Sequence, residues 1–127
     1  MSLAFNISSL LIFVAILVGV ALHHRVRTHV RIMKVCFTLD VLLLILVEVF
    51  RGAIEKLLGL EPSTVDGTML AVHVPLAVGS LVWWILQLRS GSRILAGRRE
   101  LLPRHALHAR IFLLLRLGNL VTAFLLY

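Results

Sequence analysis

Four mostly apolar stretches of membrane-spanning length constrain this chain more than any other feature. They cover about residues 3–22, 31–50, 68–88 and 108–127. A helix rises about 1.5 Å per residue, so about 20 apolar residues match the hydrocarbon thickness of a bilayer. Of the 127 residues, 60% are apolar and only 15% charged, which excludes a disordered chain and an ordinary water-soluble one. The expected fold is all-α: a single integral membrane domain over residues 1–127, built as an antiparallel four-helix bundle. Ile54, Leu57 and Leu58 carry the second helix amphipathically to Gly59, before a turn around Glu61-Pro62-Ser63. The fourth helix is expected to start before its apolar run, with Pro103 in its first turn. Ser90-Gly91-Ser92 reads as a flexible part of a basic loop over residues 89–104. No signal peptide is expected, because the first apolar stretch is long enough to span and no basic region precedes it.

Charge sets the orientation. The formal net charge is +7. In a soluble protein that would suggest nucleic acid, but these cations sit in short connections between spans, so no nucleic-acid partner is expected. Arg25, Arg27, Arg31 and Lys34 surround the first connection, and Arg89, Arg93, Arg98, Arg99 and Arg104 occupy the third. The middle connection balances Arg51 and Lys56 with Glu55, Glu61 and Asp66. Basic loops stay in the cytoplasm, so the first and third connections are expected there, with both termini outside a cell inner membrane.

Each span also carries polar residues at the three-, four- and seven-residue spacings of one helix face. The stripes are Asn6, Ser9 and His24; His29, Met33, Cys36 and Asp40; Met69, His73, Ser80 and Gln87; and His105, His108, Arg116 and Asn119. Polar groups within a bilayer belong in a protein interior rather than against lipid. Asp40 and Arg116 each lie roughly a dozen ångströms from the cytoplasmic side at ~1.5 Å per residue, so they are expected to form a buried ion pair. That pair would fix helix register, or serve as a proton relay or an electrostatic partner for a cofactor.

Five of the six histidines fall at that same side. His105 and His108, spaced i and i+3, share a helix face and could reach one metal ion. With His24 and His29 they would suit zinc, copper or iron, and Met33 adds a soft donor that favours Cu(I). Two histidines on opposing helices could instead hold haem b, with arginines pairing its propionates. Simpler roles are solvated loop residues for His23 and His24, and a helix-to-helix hydrogen bond for His73. His73 sits near Pro75, at another level, with Glu48 at comparable depth. Trp83, Trp84 and Tyr127 read as interfacial anchors. The single cysteine, Cys36, excludes an internal disulfide and any Cys-based zinc or iron–sulfur framework.

His29-Val-Arg-Ile-Met33 followed by Phe37, then His73-Val-Pro75, then His105 to Arg110 with Gly118 and Tyr127, form an ordered set. This set resembles the YozB/CtaM-type small four-helix membrane proteins, over roughly residues 26–127. The chain departs from that pattern in a shorter last helix and in Ile111-Phe-Leu-Leu-Leu, where the family has an aromatic-proline stretch. Asp40, His108 and Arg116 lie outside the pattern. The resemblance implies a role in maturing or supporting haem-copper oxidases, with His29, His73 and His105 as the family-type histidines.

Together these readings point to a membrane protein that binds a metal or haem at His29, His73, His105 and His108 and assists a respiratory oxidase. Two rivals are a cofactor-free accessory subunit of a larger complex, with homo-oligomers allowed, and a small metal-dependent oxidoreductase. No nucleophile–base–orienter set is visible, which weighs against an enzyme.

Overall fold

The computed structural model describes the backbone of residues 2–59 and 67–126, and the side chains of residues 3–47, 59 and 67–126. Four helices account for nearly all of it: α1 (Ser2–Ala21), α2 (Val26–Leu58), α3 (Gly67–Leu95) and α4 (Leu102–Leu126). A short 3-10 turn, Arg99–Leu101, precedes α4. The protein is therefore an all-α, four-helix one, and α1, α3 and the stretch Arg99–Leu126 are long and apolar enough to cross a membrane. At 33 residues α2 is long enough as well, though its apolar stretch carries Lys34, Asp40 and Glu48. The Glu61-Pro62-Ser63 turn, the Glu48 and Leu58 side chains and Tyr127 lie outside the described residues.

The helices form two compact units, α1 with α2 and α3 with α4. In the first, the buried residues of α1 are Asn6, Ile12, Phe13, Ile16 and Gly19. These positions fall on one face of a 3.6-residue repeat. Ile16 is fully covered, whereas Leu11 is 64% exposed on the other side. Gly19 lets α2 come close: a Cβ there would lie 2.8 Å from Ile32 Cγ2 and 3.2 Å from Met33 Sδ. Any larger residue would force Ile32 aside.

In the second unit the helices run antiparallel. His73 meets Thr122, Trp84 meets Phe112 and Ser90 meets His105. Contrary to the sequence expectation, Ser90-Gly91-Ser92 is not a flexible loop: α3 stays helical through it to Leu95. The stop comes at Gly97, which holds φ +110°. The Arg98 N–H reaches back to Arg93 O at 3.2 Å and the Gly97 N–H to Ile94 O at 3.0 Å. That pair of bonds is the Schellman arrangement, which satisfies end-of-helix carbonyls and needs a residue able to adopt positive φ. Pro103 sits in the first turn of α4, where a missing N–H costs nothing.

Across both units polarity is inverted relative to a water-soluble protein. Arg116 is 1% exposed and Gln87 is 7%, while Val78 and Leu114 are 56% and 71% exposed. Water would penalise that distribution; lipid favours it. The chain is a multi-pass membrane protein in contact with the bilayer.

Candidate functional site

The histidines are best understood through the hydrogen bonds that hold their Nδ1 atoms. In α1 the last carbonyls have no partner further along the helix. Val18 O accepts the Leu22 N–H at 3.0 Å, and Val20 O accepts the His23 N–H at 3.1 Å. The His23 ring adds Nδ1–H to the same Val20 oxygen at 3.0 Å. Gly19 O is taken by His29, whose Nδ1–H donates to it at 2.7 Å from the first turn of α2. A carbonyl only accepts, so the proton sits on Nδ1 and the lone pair on Nε2. His29 thus caps one helix from the start of the next.

Hydroxyls hold two rings in the second unit. Ser90 Oγ lies 2.7 Å from His105 Nδ1 and 3.1 Å from Gln87 O. A hydroxyl has one hydrogen: while it lies on Gln87 O the oxygen accepts from His105 Nδ1–H, and when it turns to the ring His105 Nδ1 accepts instead. Thr122 Oγ1 lies 2.8 Å from Gly118 O, 3.0 Å from Asn119 O and 2.7 Å from His73 Nδ1; with its hydrogen on either carbonyl it accepts from His73 Nδ1–H. With each hydroxyl hydrogen on a helix carbonyl, Nε2 is the lone-pair nitrogen of both rings. His108 is the opposite case. Trp83 Nε1–H donates to its Nδ1 at 3.1 Å, which puts the proton of the neutral ring on Nε2. An indole nitrogen can only donate, so this assignment is fixed by chemistry.

Several sequence expectations change accordingly. His105 and His108 share a helix face but turn to different partners on α3, and the indole bond to its Nδ1 leaves neutral His108 no lone pair for a shared metal ion. His73 and His105 belong to opposite ends of their hairpin. Ser90, the partner of His105, stands roughly 25 Å along α3 from His73 at ~1.5 Å per residue, so these two cannot share one small site. His24 is not on the α1 stripe, because α1 ends at Ala21; it is exposed in the turn, edge-on to His23 at 5.9 Å between ring centres. Met33 is half-buried beside Gly19. Asp40 is half-buried on α2 and Arg116 buried on α4, in different units. Cys36 is buried at the middle of its stripe. Among the described residues, no group of three or more His, Cys, Asp or Glu is placed to hold a metal ion.

Trp83, Ser90 and Thr122 were the functional partners missed by sequence reasoning. Trp83 and Ser90 lie a whole helical repeat apart, on the face that also carries Gln87, and that spacing was the available signal. The two neighbouring tryptophans also differ from simple anchors: Trp84 is buried against Phe112, ring centres 4.9 Å apart, while Trp83 serves His108. No family model matches the chain, and no curated protein or solved structure matches it.

Proposed function

We propose that this chain is a multi-pass inner-membrane protein, with both termini outside, that binds haem b or a metal ion through histidine Nε2 atoms and supports a haem-copper oxidase. One observation carries the reading. His29 spends Nδ1–H on Gly19 O, and His73 and His105 each set Nδ1 2.7 Å from a hydroxyl oxygen that accepts the same proton when its own hydrogen lies on a helix carbonyl, an arrangement that leaves Nε2 to ligate. Ligating histidines have this form: the second nitrogen is tied to an oxygen, which fixes the tautomer and aims the ring. These are also the three histidines at which the chain resembles the YozB/CtaM-type proteins, and the oxidase role rests on that resemblance. The positive connections support the orientation. Copper, zinc, iron and haem iron all accept imidazole nitrogen, so the donor type fits each. When bound, such a group would supply electron-transfer or Lewis-acid chemistry; the chain supplies aimed rings in an apolar surround.

The test is optical spectroscopy and metal analysis of the detergent-purified protein. A Soret band or stoichiometric metal is expected, retained in His108→Ala and reduced when the ring that holds the group, His29, His73 or His105, is replaced by alanine. Neither signal in the unaltered protein would remove the cofactor from the reading.

A cofactor-free accessory subunit is the second reading. Its support is that the ring of every half-buried histidine already has a partner within its own hairpin, and that no three-ligand group occurs among the described residues. The imidazoles would then act only as caps and helix-to-helix ties.

A further inference from the structure

The α3–α4 corner concentrates charge in a way that neither histidines nor helix packing require. Residues 89–110 hold six arginines, Arg89, Arg93, Arg98, Arg99, Arg104 and Arg110, against one acid, Glu100. All six are exposed. Glu100 is held by Arg98 at 3.2 Å, on the surface. The cations are all arginine, none lysine, and the guanidinium fork is the side chain that pairs two-point with phosphate oxygens.

Length places this corner at a particular depth. α3 has 29 residues. At ~1.5 Å per residue it runs about 43 Å, some 13 Å beyond a hydrocarbon core of about 30 Å. The surplus is the basic end, Arg89 to Leu95, which brings it to the headgroup layer. Exposed leucines stand among the cations: Leu95 is 56% exposed, Leu102 48% and Leu107 56%. A nucleic acid or an acidic peptide would match the charge and leave those leucines in water. A phospholipid matches both, with phosphate on the arginines and acyl chain on the leucines. The Schellman stop at Gly97 and the following 3-10 turn fold the chain back so that both helix ends contribute to one surface.

We propose that this corner is a docking site for the headgroups of anionic phospholipids in the bilayer that α3 and α4 cross. The site depends on those helices spanning the membrane and is independent of any bound cofactor.

The test uses the full chain in detergent micelles, with phosphatidylglycerol or phosphatidylcholine added and lipid retention read by native mass spectrometry. Phosphatidylglycerol is expected to be retained and phosphatidylcholine not. Each arginine removed should weaken retention about fivefold, so a triple Arg93→Gln, Arg99→Gln, Arg104→Gln variant should lose roughly a hundredfold. A comparison triple, Arg25→Gln, Arg27→Gln, Arg31→Gln, should lose much less. Equal retention of the two lipids, or equal losses in the two triples, would overturn the assignment. So would complete displacement of the lipid by millimolar inorganic phosphate, which would mark a free-phosphate site. Should the corner triple fail to insert, the unaltered protein still decides: phosphatidylglycerol retention must fall as salt rises, since exposed charge pairs are screened, and salt-independent retention would overturn the proposal.

Discussion

At the residue scale, one hydrogen-bond choice per histidine decides what the ring can do. His29 is the clearest case, because its partner is a backbone carbonyl at the open end of a helix. Removing the ring leaves that acceptor without its cap. His29→Ala is expected to destabilise the protein by about 1 kcal/mol, the usual worth of a lost hydrogen bond, measured by denaturant unfolding in micelles. His73 and Thr122 offer a cleaner measurement, since each is the other's partner at 2.7 Å. A double-mutant cycle of His73→Ala with Thr122→Val should return a coupling of about 0.6 kcal/mol, typical of side-chain hydrogen bonds between membrane helices. A coupling near zero would show that the two side chains do not bond in the folded protein. That imidazoles would be costly here was visible in the sequence; which oxygen each one takes was not. Gly19 O has no signature as a partner of His29, because the bond exists only once α2 folds back against α1.

At the element scale, spacing made the buried faces readable. The stripe holding Ser80 and Gln87 also contains buried Trp84, and the stripe of His105 and Arg116 also contains buried Phe112. Periodicity gives the face because a helix places its side chains every 100° whatever its surroundings. Helix ends were less readable. α1 stops at Ala21, which moved His24 off its expected stripe, and α3 runs on through Ser-Gly-Ser. Glycine and serine weaken a helix without ending it, and here the Ser90 and Ser92 hydroxyls lie against Gln87 O and Leu88 O within the helix. Two glycines carry element-level consequences. Gly19→Val should cost about 1–3 kcal/mol in unfolding experiments, by overpacking against Ile32. Gly97→Ala should cost about 1 kcal/mol through its positive φ alone, since no atom lies near enough to clash.

At the scale of the whole molecule, membrane character follows from exposed leucines and buried polar groups, and both were already implicit in composition. Orientation is a separate matter, decided by where the arginines fall. Labelling with a membrane-impermeant thiol reagent reads it directly, because the single native cysteine, Cys36, is buried. Arg99→Cys should react only from the cytoplasmic side and Ser63→Cys only from outside; the reverse pattern would invert the topology. The pairing of Asp40 with Arg116 belongs to this scale too. The two residues lie in different compact units, and their matched depth and opposite charge in the sequence suggest the pairing.

Central to the account is the expected division of the four half-buried histidines into three rings with a lone pair on Nε2 and one with a proton there. Nitrogen-15 NMR of the histidine-labelled protein in micelles measures it most directly, at neutral pH and without added metal. The expected spectrum shows His29, His73 and His105 as Nδ1–H tautomers and His108 as the Nε2–H tautomer. His108 in the Nδ1–H form, or any of the other three protonated on Nε2, would contradict the account.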